Sequence, residues 1–167
     1  METDKVIKGK RVLVVDDEKD ILETLVDLLD ICKIDTASSF EEAKKMIEEN
    51  DYHIVILDIM GVNGYELLKI ANSRKTPALM LTAHALSSES LKRSAEEGAA
   101  YYAPKDELTN IKDFVADVLA SIEKGKSPWQ KMFDRLGSYY DTRFHGTDWR
   151  EKEKEFWEEK MNRHFPY

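Results

Sequence analysis

Five short apolar runs recur in the first two-thirds of the sequence, separated by stretches whose apolar residues fall at helical spacing. Four of them deliver a reactive side chain at or just past their end. Val12-Leu13-Val14-Val15 leads into Asp16 and Asp17, and Ile54-Val55-Ile56-Leu57 into Asp58. Ala78-Leu79-Met80-Leu81 leads into Thr82, and Ala100-Tyr101-Tyr102-Ala103-Pro104 into Lys105. Apolar runs this short, bounded by turn residues and alternating with helices, fit strands buried on both faces of a parallel sheet. Right-handed crossovers then give an α/β fold with a doubly wound, five-stranded parallel sheet. The carboxyl ends of strands in such a sheet line the ligand crevice. Three carboxylates, a hydroxyl and an ammonium are thereby sent to one edge.

Strands are expected at residues 10–15, 34–37, 53–57, 77–81 and 100–103. The first helix carries Ile21, Leu22, Leu25, Leu28 and Leu29 at helical spacing, and Ser39 is placed to cap a second over residues 40–49. Further helices are expected over 64–73 and 87–97, the latter ended by Gly98. Ile111, Phe114, Val115, Val118, Leu119 and Ile122 line a closing helix. Gly125-Lys126 marks a joint, dividing the chain into a unit over 9–124 and an extension over 125–167.

The extension reads as a helical hairpin. Ser127-Pro128-Trp129-Gln130 has the form of a capping box, and Trp129, Met132, Phe133, Leu136, Tyr140 and Phe144 form a stripe behind it. Asp148-Trp149-Arg150-Glu151 opens a second helix in the same way, with Trp149, Phe156, Trp157 and Met161 as its stripe. Ten of the sixteen aromatic residues lie beyond Gly125, all three tryptophans included. Such a density has to pack on the rest of the chain, on a second copy or on a partner.

Charge narrows the function. Residues 1–124 carry 16 basic against 25 acidic side chains, and residues 125–167 carry nine against eight. An acidic front suits a cation site and argues against nucleic acid, and the near-neutral extension lacks a helix-turn-helix pattern. No run approaches the ~20 apolar residues of a membrane span, and the amino terminus lacks a secretory apolar stretch, so a cytoplasmic location is expected. The single cysteine, Cys32, reads as core filler.

Asp16, Asp17 and Asp58 supply oxygen ligands for a hard cation such as magnesium, which favours a few carboxylates completed by water and phosphate. Two could hold the metal while the third attacks phosphorus to give an aspartyl phosphate. Thr82 could donate to a phosphoryl oxygen, and Lys105 offers a compact charge.

With that constellation, residues 9–124 resemble a receiver domain of the two-component response-regulator family, of flavodoxin-like fold. The matching residues are the acidic pair Asp16-Asp17, Asp58, Thr82 followed by Ala83, Lys105, and Tyr102 three residues before it. The resemblance implies that Asp58 accepts phosphoryl from a sensor histidine kinase or a histidine phosphotransfer domain. It also implies that magnesium lies on Asp16, Asp17, Asp58 and the Met60 carbonyl, and that Thr82 and Tyr102 act as switch residues. Met60 and His84, two past Asp58 and Thr82, match positions that tune dephosphorylation. The loop after Asp58 reaches glycine after six residues, without the usual proline, and Lys105 is followed by Asp106 rather than proline.

The expected role is a phosphorylation-activated regulator, not a metabolic enzyme, that signals through protein contacts with an unknown downstream protein or a phosphorylation-dependent homodimer. The alternative is a phosphorelay intermediate or phosphate sink.

Overall fold

The computed structural model describes residues 2–84 and 86–167. A short helix, α1 (Glu2–Ile7), precedes β1 (Arg11–Val15), α2 (Lys19–Leu28), β2 (Lys33–Ala37) and α3 (Phe40–Glu49). Then come β3 (Ile54–Asp58), α4 (Gly64–Ser73), β4 (Ala78–Thr82), α5 (Ser88–Glu96) and β5 (Tyr101–Pro104). A 3-10 turn over Lys105–Asn110 leads into α6 (Ile111–Glu123). The extension holds α7 (Pro128–Arg143), α8 (Asp148–Glu151) and α9 (Lys154–Asn162).

All four strand pairings are parallel, in the order β2-β1-β3-β4-β5. The expected doubly wound five-stranded sheet is therefore present. The central strands β3 and β4 are buried at every position, as their unbroken apolar runs require. The order reverses between β1 and β3, so the crevice opens where those strands end. Asp16 follows the end of β1 and Asp58 is the last residue of β3.

Local chemistry explains most boundaries. Ser39 accepts from Glu42 N–H to start α3, and Ser87 accepts from Ser90 N–H to start α5. Gly98 stops the chain behind α5 at φ +93°, where a Cβ would stand 2.6 Å from the Asn72 amide nitrogen. Helix α1 has no counterpart in the sequence reading, because its six residues carry too few apolar side chains to show a period. It is held by tertiary contact: Ile7 is buried and Thr3 donates to Asp113 on α6. The Cys32 thiol is half-buried, donates to the Ile7 carbonyl and is pushed by burial to about 11, as befits filler.

The extension folds back on the open edge of the sheet. Helix α7 packs on β5 and α6, and its expected stripe through Tyr140 is buried in the same core as the sheet. Two carbonyls at that edge find donors in it. Trp129 Nε1 donates to Ala99 O at 3.0 Å, and the Tyr140 hydroxyl donates to Tyr102 O at 2.9 Å. Arg135 makes a two-point contact with Asp117 at 2.7 and 3.0 Å, and Tyr101 donates to the same carboxylate at 2.6 Å.

Three details of the hairpin depart from expectation. Ser127 accepts from Trp129 N–H rather than from Gln130, and its hydroxyl donates to Lys160 O at 2.6 Å, tying α9 to the start of α7. Gln130 turns to Asp134 instead, so no reciprocal box forms. Helix α8 begins after Thr147, whose hydroxyl donates to Glu151, and Asp148 does not cap it. The second helix is also broken at Glu153, so the hairpin becomes three helices. On either side of the break, Trp149 stacks on Phe133 at 5.7 Å and Trp157 meets the same ring edge-on at 5.1 Å.

If these contacts carry stability, Trp129→Ala should cost about 3–5 kcal/mol. Tyr140→Phe, which strips the donor from a buried carbonyl, should cost about 1–3 kcal/mol. Urea unfolding of the full chain measures both, and values near zero would mean an extension that only rests on the sheet.

Candidate phosphoacceptor site

The site is built from strand ends. The ammonium of Lys105, one residue past β5, lies 2.8 Å from Asp16 Oδ2 and 3.2 Å from Asp58 Oδ1. All three side chains are at least nine-tenths buried. The last residue of β4, Thr82, is 1% exposed. Asp17 is exposed and lies against the loop after β3.

That loop closes despite its length. Gly61 N–H donates to Asp58 Oδ2 at 3.2 Å, Asn63 N–H to Met60 O at 3.1 Å and Gly64 N–H to Ile59 O at 3.0 Å. Ile59 and Val62 are buried and pin the turn. Gly64 is required by space, whereas a side chain at Gly61 would have to push the exposed Asp17 carboxylate aside. A Cβ at Gly61 would stand 2.2 Å from the Asp17 carboxylate, and one at Gly64 2.2 Å from the Asp58 carbonyl oxygen.

Electrostatics set the state of the site. Burial raises Asp58 above the ordinary carboxylate range; the charge of Lys105 opposes this and that of Asp17 adds to it. Burial raises Asp16 as well, against the Lys105 contact and a hydrogen bond from Glu18 N–H. For Lys105, burial works against the charge, but its contacts with Asp16 and Glu18 and the charge of Asp58 outweigh that, and it stays protonated.

A hard divalent cation fits this donor set. Asp16, Asp17 and Glu18 each offer an oxygen within 4.8 Å of the others, the one such group among the described residues. Asp16 Oδ2 is buried, and its partner is the Lys105 ammonium 2.8 Å away, which leaves it acceptor capacity to spare. An oxygen in that condition suits a metal ion. Asp58 is not in that group, though it is close enough to Asp17 to feel its charge. The Met60 carbonyl accepts from Asn63 and has one lone pair left.

The other sequence candidates are spread around this centre. Tyr102 is wholly buried on β5, with its hydroxyl among Ser87 and Ser90, and burial pushes it up to about 12. The Met60 side chain is 61% exposed beside Asp58, and His84 is exposed beyond β4. Sequence reasoning passed over Glu18, whose carboxylate lies 3.0 Å from Lys105. Its only signal is that it follows the acidic pair directly, where an acid reads as a solvated turn residue.

Known proteins are similar to this chain. Residues 12–116 match the response regulator receiver domain family. The regulatory protein VanRB of Enterococcus faecalis is 40% identical over 78 residues, 44% of this chain and 36% of that protein. The two-component response regulator ARR18 of Arabidopsis thaliana is 35% identical over 118 residues, 65% of this chain and 18% of that one. The chain thus spans well under half the length of these relatives. A putative response regulator from Chloroflexus aurantiacus superposes with a TM-score of 0.60 at 31% identity, covering 68% of this chain and 99% of that one. No helix among the described residues is long and apolar enough to cross a membrane.

The raised carboxylates give a pH signature. A carboxyl whose folded value exceeds its unfolded one stabilises the fold below about pH 4, and that contribution is lost as pH rises through the folded value. Without divalent cation, Asp58→Asn should therefore raise the melting temperature near neutral pH, by about 2–4 °C per kcal/mol of strain relieved. The gain should shrink on acidification and on adding magnesium. Circular dichroism melts test this, and a lowered melting temperature would show that Lys105 over-compensates the burial.

Proposed function

The chain belongs to the response regulator receiver domain family, and from that premise we propose that residues 9–124 form a magnesium-dependent receiver accepting phosphoryl on Asp58. Residues 125–167 are its extension. The observation that carries the reading is the Lys105 ammonium set between the buried carboxylates of Asp16 and Asp58 at the switch point of the sheet.

Asp58 is the nucleophile. Its carboxylate oxygen attacks phosphorus as the donor's nitrogen–phosphorus bond breaks, and the imidazole leaves. Asp16, Asp17 and Asp58, with the Met60 carbonyl, would hold a magnesium ion, whose charge would offset the repulsion between anionic nucleophile and anionic phosphoryl group. Lys105 supplies a second positive charge, and Thr82 donates to a phosphoryl oxygen. Thr82 and Tyr102 are the switch residues, so phosphoryl contacts favour one of two arrangements of this edge. The donor is a sensor histidine kinase or a histidine phosphotransfer domain, and the setting is cytoplasmic.

Output passes through protein contacts with a downstream protein. A homodimer through α5, β5 and α6 is disfavoured, because α7 already covers β5 and packs on α6, and Lys92 of α5 pairs with Glu153 at 3.2 Å. The same coverage favours a second reading, a phosphorelay intermediate whose extension is structural. Transfer from the phosphorylated chain back to a histidine phosphotransfer domain would support that reading.

Incubation with a small phosphoramidate and magnesium should add one phosphoryl group by intact mass. Asp58→Ala should abolish it, and uptake by that variant would sink the assignment. The bulky Met60 and the exposed His84 tune the loss of phosphoryl. The aspartyl phosphate should last minutes or longer, because Met60 shields phosphorus from water, and Met60→Ala should shorten that several-fold. A phosphate-release assay reads both, and decay within a second in the unaltered chain would remove Met60 from this role.

A further inference from the structure

Lys105 has a third carboxylate partner. Glu18 Oε1 accepts a hydrogen bond from its ammonium at 3.0 Å, across 87 positions of sequence. All three contacts are ion pairs, and the one to Asp58 is the longest of the three. Glu18 starts α2 without capping it by its side chain. Its backbone is fixed instead. Its N–H donates to Asp16 Oδ1 at 2.9 Å, and its carbonyl accepts from Ile21 and Leu22. The side chain is left to reach the lysine, and it alone of the three partners is half-exposed at 51%.

An ammonium has three donors, and three carboxylates claim them. A phosphoryl group on Asp58 brings further anionic oxygens to the same spot and must displace one claim. Asp16 and Asp58 are buried with the lysine, whereas Glu18 can turn into water. Resting on the receiver reading above, we propose that Glu18 is a positioning residue. It holds the Lys105 ammonium in the unphosphorylated chain and yields it to the phosphoryl group, so its strength sets how far the site favours the phosphorylated state.

The test is the affinity for beryllofluoride, a phosphoryl mimic, measured by isothermal titration of the full chain in magnesium. Glu18→Gln should bind about two- to fivefold more tightly, the range that a half-exposed pair supports. Glu18→Asp keeps the charge at the mouth but is one methylene too short for the lysine, so it should bind as tightly as Glu18→Gln. Affinity of Glu18→Asp equal to the parent would mean that Glu18 acts only by repelling anions, and would overturn the proposal. Magnesium titrations without the mimic should match the parent in Glu18→Asp, which keeps the charge beside Asp16 and Asp17. The mimic titrations are run at saturating magnesium, so that any cation affinity lost with the charge in Glu18→Gln does not enter them. Weaker magnesium binding in both variants would make Glu18 a metal ligand instead and would likewise overturn it. An unaltered chain that binds no beryllofluoride would instead fail the receiver reading itself. Binding by the parent with no gain in Glu18→Gln would fail this inference alone.

Discussion

A lysine ammonium lies between two carboxylates that the sheet has buried. Removing a charged group from water costs several kcal/mol, and the fold does this three times within a few ångströms at the ends of β1, β3 and β5. Lys105 limits the cost for Asp16 and Asp58 but does not cancel it, since both remain harder to ionise than a free carboxyl. A divalent cation held there would relieve that residue of unfavourable charge. The central strands are buried throughout for the same reason: a dry, well-packed sheet keeps the three groups in register.

The open edge of that sheet is a second constraint. An edge strand presents unpaired backbone groups, and chains manage such edges by covering them. Here α7 supplies two side-chain donors of large apolar area, an indole and a phenol, that satisfy carbonyls and exclude water together. The aromatic density of residues 125–167 is thereby accounted for within one chain. Trp129, Phe133, Trp149 and Trp157 form a ring cluster with centroids 5.1–6.1 Å apart, through which α8 and α9 are held to α7.

What could be read from sequence was whatever repeats at short range. Apolar runs ending in Asp16, Asp58, Thr82 and Lys105 gave strand positions and the site together, because a parallel sheet puts every strand's carboxyl end on one side. Single-residue signals such as Ser39 and Gly98 also held, since capping and positive φ are local. Choices between local partners did not. Ser127 had two helical N–H groups within reach and a carbonyl from another helix, and the distant carbonyl of Lys160 helped decide its orientation. The break at Glu153 and the reach of Glu18 to Lys105 likewise depend on neighbours far along the chain. Helix α1 is tertiary throughout, a six-residue segment that only its docking on α6 makes helical.

The two constraints meet at consecutive residues. Lys105 turns into the carboxylate site, and Asp106 turns outward to the extension, accepting from the Tyr139 hydroxyl at 3.3 Å with Arg143 at 3.7 Å. Their Cα atoms are about 3.8 Å apart, so the two contacts bear on the same short stretch of backbone. Pro104 before them fixes its own φ and ends β5, so the segment enters the 3-10 turn from a defined direction. Within β5 itself, Tyr140 holds the backbone of Tyr102 by its carbonyl and lies against its ring, with centroids 5.8 Å apart. The extension therefore grips β5 at Tyr102 and just beyond its end at Asp106, on either side of Pro104 and Lys105. The extension thereby stiffens the segment that carries Lys105 into the carboxylate site.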